Sequence, residues 1–270
     1  MTYDTRERSI ADGQPIELYE FARGGVTSRF TSADSDKVLA SQTYTSATLQ
    51  RGEIETSAER ARNALRITCA RNFPIADLFR IAPPTEIISL TVKRVHAGDT
   101  DAAVIWMGRV LNCEWAGASA TLNCEPVTSS LRRPGLRRKY SRQCPLVLYS
   151  QGLGQCNVTR AAHSTATTVT AISGLVLSVA ALADKPWPGG FVEWETEAGP
   201  VERRFISSHS GLNLTLSQPF FGLAVGADVT VSPGCAHTQA MCNDVYSNGA
   251  NHGGFPFVPR KNPFDGTPVY

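Results

Sequence analysis

The sequence predicts a mainly β chain, with two β-barrel or sandwich-like domains and a cysteine-ligated, loop-rich C-terminal region. Three observations predict it. Both halves carry short runs that alternate apolar and polar residues or are rich in β-formers, as half-buried strands are. A basic segment containing Pro134-Gly135, residues 131–143, separates the halves and sets the domains at 1–130 and 144–270. Four cysteines, Cys144 with Cys156 and Cys235 with Cys242, bracket 78 residues of the second half.

Taken in order, residues 16–21 alternate apolar and polar, and 43–49 are rich in β-formers. Residues 64–69 and 87–95 continue the pattern. Between them, 74–79 read as a short helix that Pro83-Pro84 ends. Residues 104–113 and 119–125 predict a hairpin turning at Ala116-Gly117. That register sets Cys113 opposite Ala120 and Cys124 opposite Arg109, which argues against a cross-strand disulfide. Cys69, Cys113 and Cys124 read as core thiols, since free cysteine behaves as a small hydrophobe. Five positive charges lie between Arg132 and Lys139. A solvated linker or protein-contact surface is expected there in preference to a phosphate or nucleic-acid site.

In the second half, residues 167–173 and 175–179 are strand-like. Residues 191–196 and 201–207 flank Ala198-Gly199-Pro200 as a hairpin. Residues 212–216 and 227–231 complete the domain, and the last strand runs into Pro233-Gly234-Cys235. The tail from Asn251 to Phe264 is rich in Gly, Pro and Phe. It is expected to lie extended across the domain or a neighbouring subunit.

Composition bounds the function. The 270 residues, 42% apolar and 19% charged, suit two globular domains. A net charge of +2 gives no argument for nucleic acid. The longest apolar-looking stretch, 166–183, is broken by Thr and Ser, so no transmembrane span is expected. The N-terminal residues show neither an apolar run nor a cleavage site, so no secretory signal is expected. Seven cysteines in such a chain point to reduced thiols, and clustered ones to metal ligands or catalysts.

The two cysteine pairs have eleven and six intervening residues, unlike the tight knuckle of a zinc ribbon. Loops of that length suit a bulkier cluster at least as well as one ion, so zinc and iron–sulfur both stand on spacing alone. Four unrelated buried thiols, or two disulfides, are the bland alternatives. Pro145 and Gly234 fix turns and let backbone N–H groups approach sulfur. His237 and His252 lie near the second pair and could replace a ligand, although hydrogen-bonding or surface roles are the expectation. Ser208 and His209 are neighbours on a strand and so point to opposite faces; no Gly-x-Ser-x-Gly element accompanies them. Glu193, Glu195 and Glu197 are expected on a solvated strand face. Gly152-Leu153-Gly154 lacks the context of a nucleotide loop. No catalytic constellation emerges, and the chain is not expected to be an enzyme.

Gly234-Cys235-Ala236-His237-Thr238, Cys242-Asn243 and Asn251-His252-Gly253-Gly254-Phe255-Pro256 resemble the end of a phage tail-tip hub family. That family occurs in long-tailed phages and gene transfer agents, and the arrangement is similar to the lambda tail-tip protein L. Its pattern is a Gly-Cys-Asp-His-like turn, a second Cys, an Asn-rich segment and Gly-Gly-Phe-Pro. Ala236 stands where an acidic residue is common, and His252 where Phe is common. Residues 18–21, 30–34, Tyr44, 108–110 and 131–133 resemble the family's front domain, so the similarity spans nearly the whole chain.

The resemblance implies a structural virion protein of the baseplate hub at the tail tip, assembled in the host cytoplasm. It would link the distal tail ring protein at the tube end to the central hub or fibre protein. A homotrimer is implied, with DNA or the tape-measure protein as further partners in the lumen. The implied cofactor is a [4Fe–4S] cluster, a metal site held by Cys144, Cys156, Cys235 and Cys242, with zinc as the alternative. The competing functions are a zinc-stabilised assembly scaffold without a virion role and a tail-associated cell-wall hydrolase. The hydrolase suffers because a cysteine nucleophile needs one activated thiol beside a base.

Overall fold

The computed structural model describes residues 3–11, 13–54, 64–132, 135, 138, 140–197, 199–220 and 222–259. The chain divides into two compact units, 1–133 with 196–202, and 134–195 with 203–270. Both are built mainly of strands. Among the described residues no helix is long and apolar enough to cross a membrane.

The first unit is a nine-stranded sheet. Its strands are β1 (Pro15–Arg23), β2 (Val26–Thr31), β3 (Lys37–Leu39), β4 (Gln42–Ser46), β5 (Leu49–Arg51), β6 (Leu65–Ala70), β7 (Ile88–His96), β8 (Ala103–Ala116) and β9 (Ser119–Pro126). The order is β3-β4-β2-β1-β7-β8-β9-β6-β5. Every pair is antiparallel except β2 with β4, where Phe30 faces Thr45. Period-two patterning drives this layout. Leu65, Ile67 and Cys69 of β6 are buried while Arg66 and Thr68 face out. Ala120, Leu122 and Cys124 do the same on β9.

These residues join Tyr19, Phe21, Ile88, Leu90, Val92 and Trp106 in one core. Helix α1 (Pro74–Asp77) lays Ile75 and Ala76 onto it, with proline at its start, where a missing N–H does no harm. The helix is two residues shorter than the 74–79 expected. Cys69 and Cys124 are core thiols, and burial pushes both up to about 12. Cys113 is only half-buried and packs at the margin of the core.

The hairpin register differs from expectation. Ala116 pairs with Ser119 and Cys113 with Leu122, while Cys124 sits opposite Val110 and Arg109 opposite Glu125. The turn is Gly117-Ala118, with Gly117 at φ +57° supplying the left-handed position. A bulge between Val110 and Asn112 then shifts the pairing by one residue. The expected strand 43–49 is also broken, with β4 and β5 pairing to different neighbours.

On β1, Glu17 accepts hydrogen bonds from Arg51 (2.6 and 2.9 Å), Tyr19 (2.9 Å) and Arg94 (3.1 Å). Burial raises its carboxyl, but these donors together outweigh burial and hold it below the usual range. A depressed carboxyl contributes stability above its unfolded value of about 4.3, and that contribution is lost as pH falls through the lower folded value. Glu17→Gln is therefore expected to unfold about 1–2 kcal/mol more easily at pH 7. Its deficit should shrink below about pH 4 in urea titrations; a deficit unchanged by pH would exclude this role. In the same unit, Glu202 pairs with Arg23 and accepts from the Thr85 hydroxyl at 2.9 Å.

The second unit contains a closed six-stranded barrel. Its strands are β10 (Thr165–Ser173), β11 (Val176–Val179), β12 (Phe191–Glu195), β13 (Val201–Ser210), β14 (Asn213–Leu216) and β15 (Asp228–Ser232). They close in the order β10-β11-β14-β13-β12-β15, which leaves no free strand edge in the barrel. Val169, Leu177, Val192, Trp194, Ile206, Leu214 and Val231 fill the interior, together with Trp187. Glu193 is not on a solvated face. Val192 and Trp194 take the inward side of β12, and Glu193 is buried on the other side beneath Arg160 and Arg203, which both bond it. Glu195 and Glu197 are exposed. Of the expected basic segment, Arg133, Pro134, Leu136, Arg137 and Lys139 lie outside the described residues. So does the Pro/Phe-rich tail from residue 260.

Candidate metal centre

The barrel delivers the second cysteine pair directly. β15 ends at Ser232, and the chain passes through Pro233 and Gly234 into Cys235. Gly234 lies against 188–190, where its N–H donates to the Pro186 carbonyl at 2.9 Å. A Cβ there would run into the Pro188 carbonyl and the Gly189 backbone, so only glycine allows this approach. Two phenols then fix consecutive carbonyls. Tyr149 donates to Pro233 and Tyr246 to Gly234, each at 2.7 Å. Burial raises both phenols, which keeps them protonated donors.

Cys242 sits on α2 (Gln239–Asp244), with its side chain buried. Thr238 caps this helix by accepting from the Met241 N–H at 3.3 Å. Three links tie this region to the first pair. Asn248 donates from its side-chain amide to the Cys156 carbonyl at 2.6 Å, while its own N–H donates to the Cys242 carbonyl at 2.9 Å. The Cys144 N–H donates to the His237 carbonyl at 2.9 Å. The Gly253 N–H points to Cys144 Sγ at 3.3 Å. Gly253 permits this because a Cβ there would meet the Leu146 side chain at 2.8 Å.

Cys144, Cys156, Cys235 and Cys242 line one cavity, walled also by Leu146, Val158, His237 and His252. All four are free thiols. The His237 N–H points to Cys235 Sγ at 3.3 Å, and the Asn248 amide lies 3.9 Å from Cys156 Sγ. N–H groups aimed at sulfur offset the negative charge of thiolates around a cluster. Burial, more than the neighbouring cysteines, pushes the Cys235 and Cys242 thiols up. A bound cation reverses that preference and takes the thiol as thiolate. The all-sulfur donor set fits zinc or iron–sulfur chemistry. Among the described residues, however, no three of His, Cys, Asp or Glu gather closely enough to hold a metal ion.

Backbone strain concentrates in these loops. Tyr149, Asn157, His237 and Ser247 are non-glycine residues with φ between +48° and +65°, which cluster where the surroundings over-determine the backbone. Sequence reasoning found the four cysteines and put them in one region. It missed Tyr149, Tyr246 and Asn248, whose roles are side-chain bonds to distant carbonyls. His237 acts here through its backbone N–H and carbonyl. The recurrent Tyr and Asn around the cysteines were the signal available.

Three comparisons bear on the chain. Residues 185–262 match the family described as "Phage conserved hypothetical protein BR0599". That span contains Cys235 and Cys242 but stops short of Cys144 and Cys156. An uncharacterized protein of Xylella fastidiosa (strain 9a5c) is 29% identical over 175 residues, 60% of this chain and 36% of its own length. The chain thus spans about a third of that relative. A chain from the virion of a native gene transfer agent (GTA) particle has the same fold, with a TM-score of 0.79 and 17% identity. The likeness covers 99% of this chain and 96% of the other.

Proposed function

We propose that the chain is a structural virion protein of the phage-tail type, standing at the tail tip with a cysteine-held [4Fe–4S] cluster. One observation carries the virion reading. The fold agrees over 99% of the chain with a chain of a gene transfer agent virion. The phage-family match over 185–262 supports it independently. In this role the chain joins the tube end to the central hub or fibre, with three copies around the axis.

Cys144, Cys156, Cys235 and Cys242 would hold the cluster. When bound, the group supplies four iron–thiolate bonds that cross-link two loops. The chain's own residues set the loops in place. Tyr149 and Tyr246 fix the approach to Cys235, Asn248 couples Cys156 to Cys242, and backbone N–H groups of His237 and Gly253 face sulfur.

Protein purified without oxygen is expected to be brown, with broad absorption near roughly 400 nm and equal amounts of iron and sulfide. Colourless protein carrying one zinc per chain would remove the iron assignment and leave the cage. Antibody labelling of intact particles is expected at the tail tip. Label confined to the capsid, or absent from particles, would refute the virion role.

A further inference from the structure

His252, in the wall of this cavity, has an imidazole whose chemistry is left over. Nδ1 and Nε2 are both buried, and neither has a hydrogen-bond partner among the described residues. A buried polar group without a partner is costly, so a native site keeps one where something else satisfies it. The ring lines the same cavity as the four thiols. Its neighbour Gly253 already directs its N–H at Cys144 Sγ, 3.3 Å away. Gly254 adds space for the ring, since a Cβ there would lie 2.8 Å from His252 Nε2 and 2.6 Å from the Arg142 carbonyl. The other polar side chains that line the cavity, Thr238, Tyr246 and Asn251 among them, make no hydrogen bond to the ring.

We infer that the His252 ring donates an N–H hydrogen bond to the sulfur of the cluster at its Cys144 side, as a positioning and tuning residue rather than a ligand. The inference rests on the cluster reading given above. A neutral imidazole has one N–H to give, and the anionic sulfur of a thiolate-bound cluster is the acceptor available to it. Such a bond strengthens as negative charge builds on the sulfur, so it favours the reduced cluster and raises the reduction potential.

The test uses the full chain, purified without oxygen, as wild type, His252→Phe and His252→Gln. Iron and sulfide are measured per chain, and one-electron reduction by dithionite is followed by spectroelectrochemistry and electron paramagnetic resonance. Phenylalanine fills the same space without a donor, and glutamine restores one. Iron and sulfide are expected to stay at the wild-type level in both variants. At a fixed applied potential the reduced-to-oxidised ratio should fall several-fold in His252→Phe and recover at least partly in His252→Gln. An unchanged ratio in His252→Phe with the cluster intact would overturn this inference alone. Loss of iron from both variants would also overturn it, by making the ring a ligand. Wild-type protein without iron and sulfide would overturn the cluster reading and this inference together.

Discussion

Replacing Cys235 or Cys242 by alanine is expected to empty the centre and loosen the whole second unit. If the proposed cluster is held by all four thiols, iron per chain should drop well below the wild-type level, because one iron loses its protein ligand. On the proposed cluster reading the centre would join loops on either side of the barrel, so its loss would resemble the loss of a cross-link that closes a long loop. That is worth about 2–5 kcal/mol, or a fall in Tm of roughly 10 °C in a domain of this size. Cys144→Ala and Cys156→Ala should behave alike, since each pair anchors one loop. Cys124→Ala is the control. It removes a buried thiol from the other unit's core and should leave iron content unchanged. Iron analysis with thermal melts checks all five variants, and full iron in any of the four ligand variants would displace that residue from the ligand set.

Trp187→Ala is expected to be the most damaging single change in the barrel. The side chain is 1% exposed, packs with the interior cluster and donates its indole N–H to the Ala183 carbonyl at 3.1 Å. Its own carbonyl accepts from the Gly190 N–H at 2.9 Å, in the segment against which Gly234 rests. Truncation leaves a large void and strands an acceptor, and such changes cost about 3–5 kcal/mol. Urea unfolding of the variant should show that loss, with Trp187→Phe falling clearly between it and wild type. A deficit below about 1 kcal/mol would show that the barrel does not depend on this side chain.

Much of the secondary structure was legible because alternation and β-branched residues mark half-buried strands locally. β1, β6, β7 and β9 begin and end close to where residues 16–21, 64–69, 87–95 and 119–125 place them. The order of strands was not legible. β1 pairs with β7, and β6 with β9, through contacts between residues far apart in the chain, and no local pattern encodes them. Register failed at the turn, which falls at Gly117-Ala118 instead of Ala116-Gly117 and so sets Cys113 opposite Leu122; the bulge near Leu111 then shifts the pairs beyond it by one residue, and alternation foresees neither. Glu193 failed for a related reason. Alternation correctly put it opposite Val192 and Trp194, but Arg160, from outside the strand, turned that face into a buried ion pair.

At the site, the cysteines were legible because thiols in paired loops have few other reasons to cluster. The residues that hold the loops were not. Tyr149 and Tyr246 act on the carbonyls of Pro233 and Gly234, and a carbonyl leaves no mark in a sequence. His252 could be read as a neighbour of the second pair. Only burial of both ring nitrogens separates it from an ordinary loop histidine.

The bonds between the loops before and after the barrel have a mechanical consequence. Cys144 is tied to His237 and Gly253, and Cys156 to Asn248, so the chain goes into the barrel and comes out of it at one place. A pull along the backbone would pass across this join and leave the six strands slack. The barrel hangs beside the load path as a loop hangs from a knot. Resistance to stretching is then set by the few bonds of the join, and a chain cut inside the barrel would still transmit tension from one side to the other.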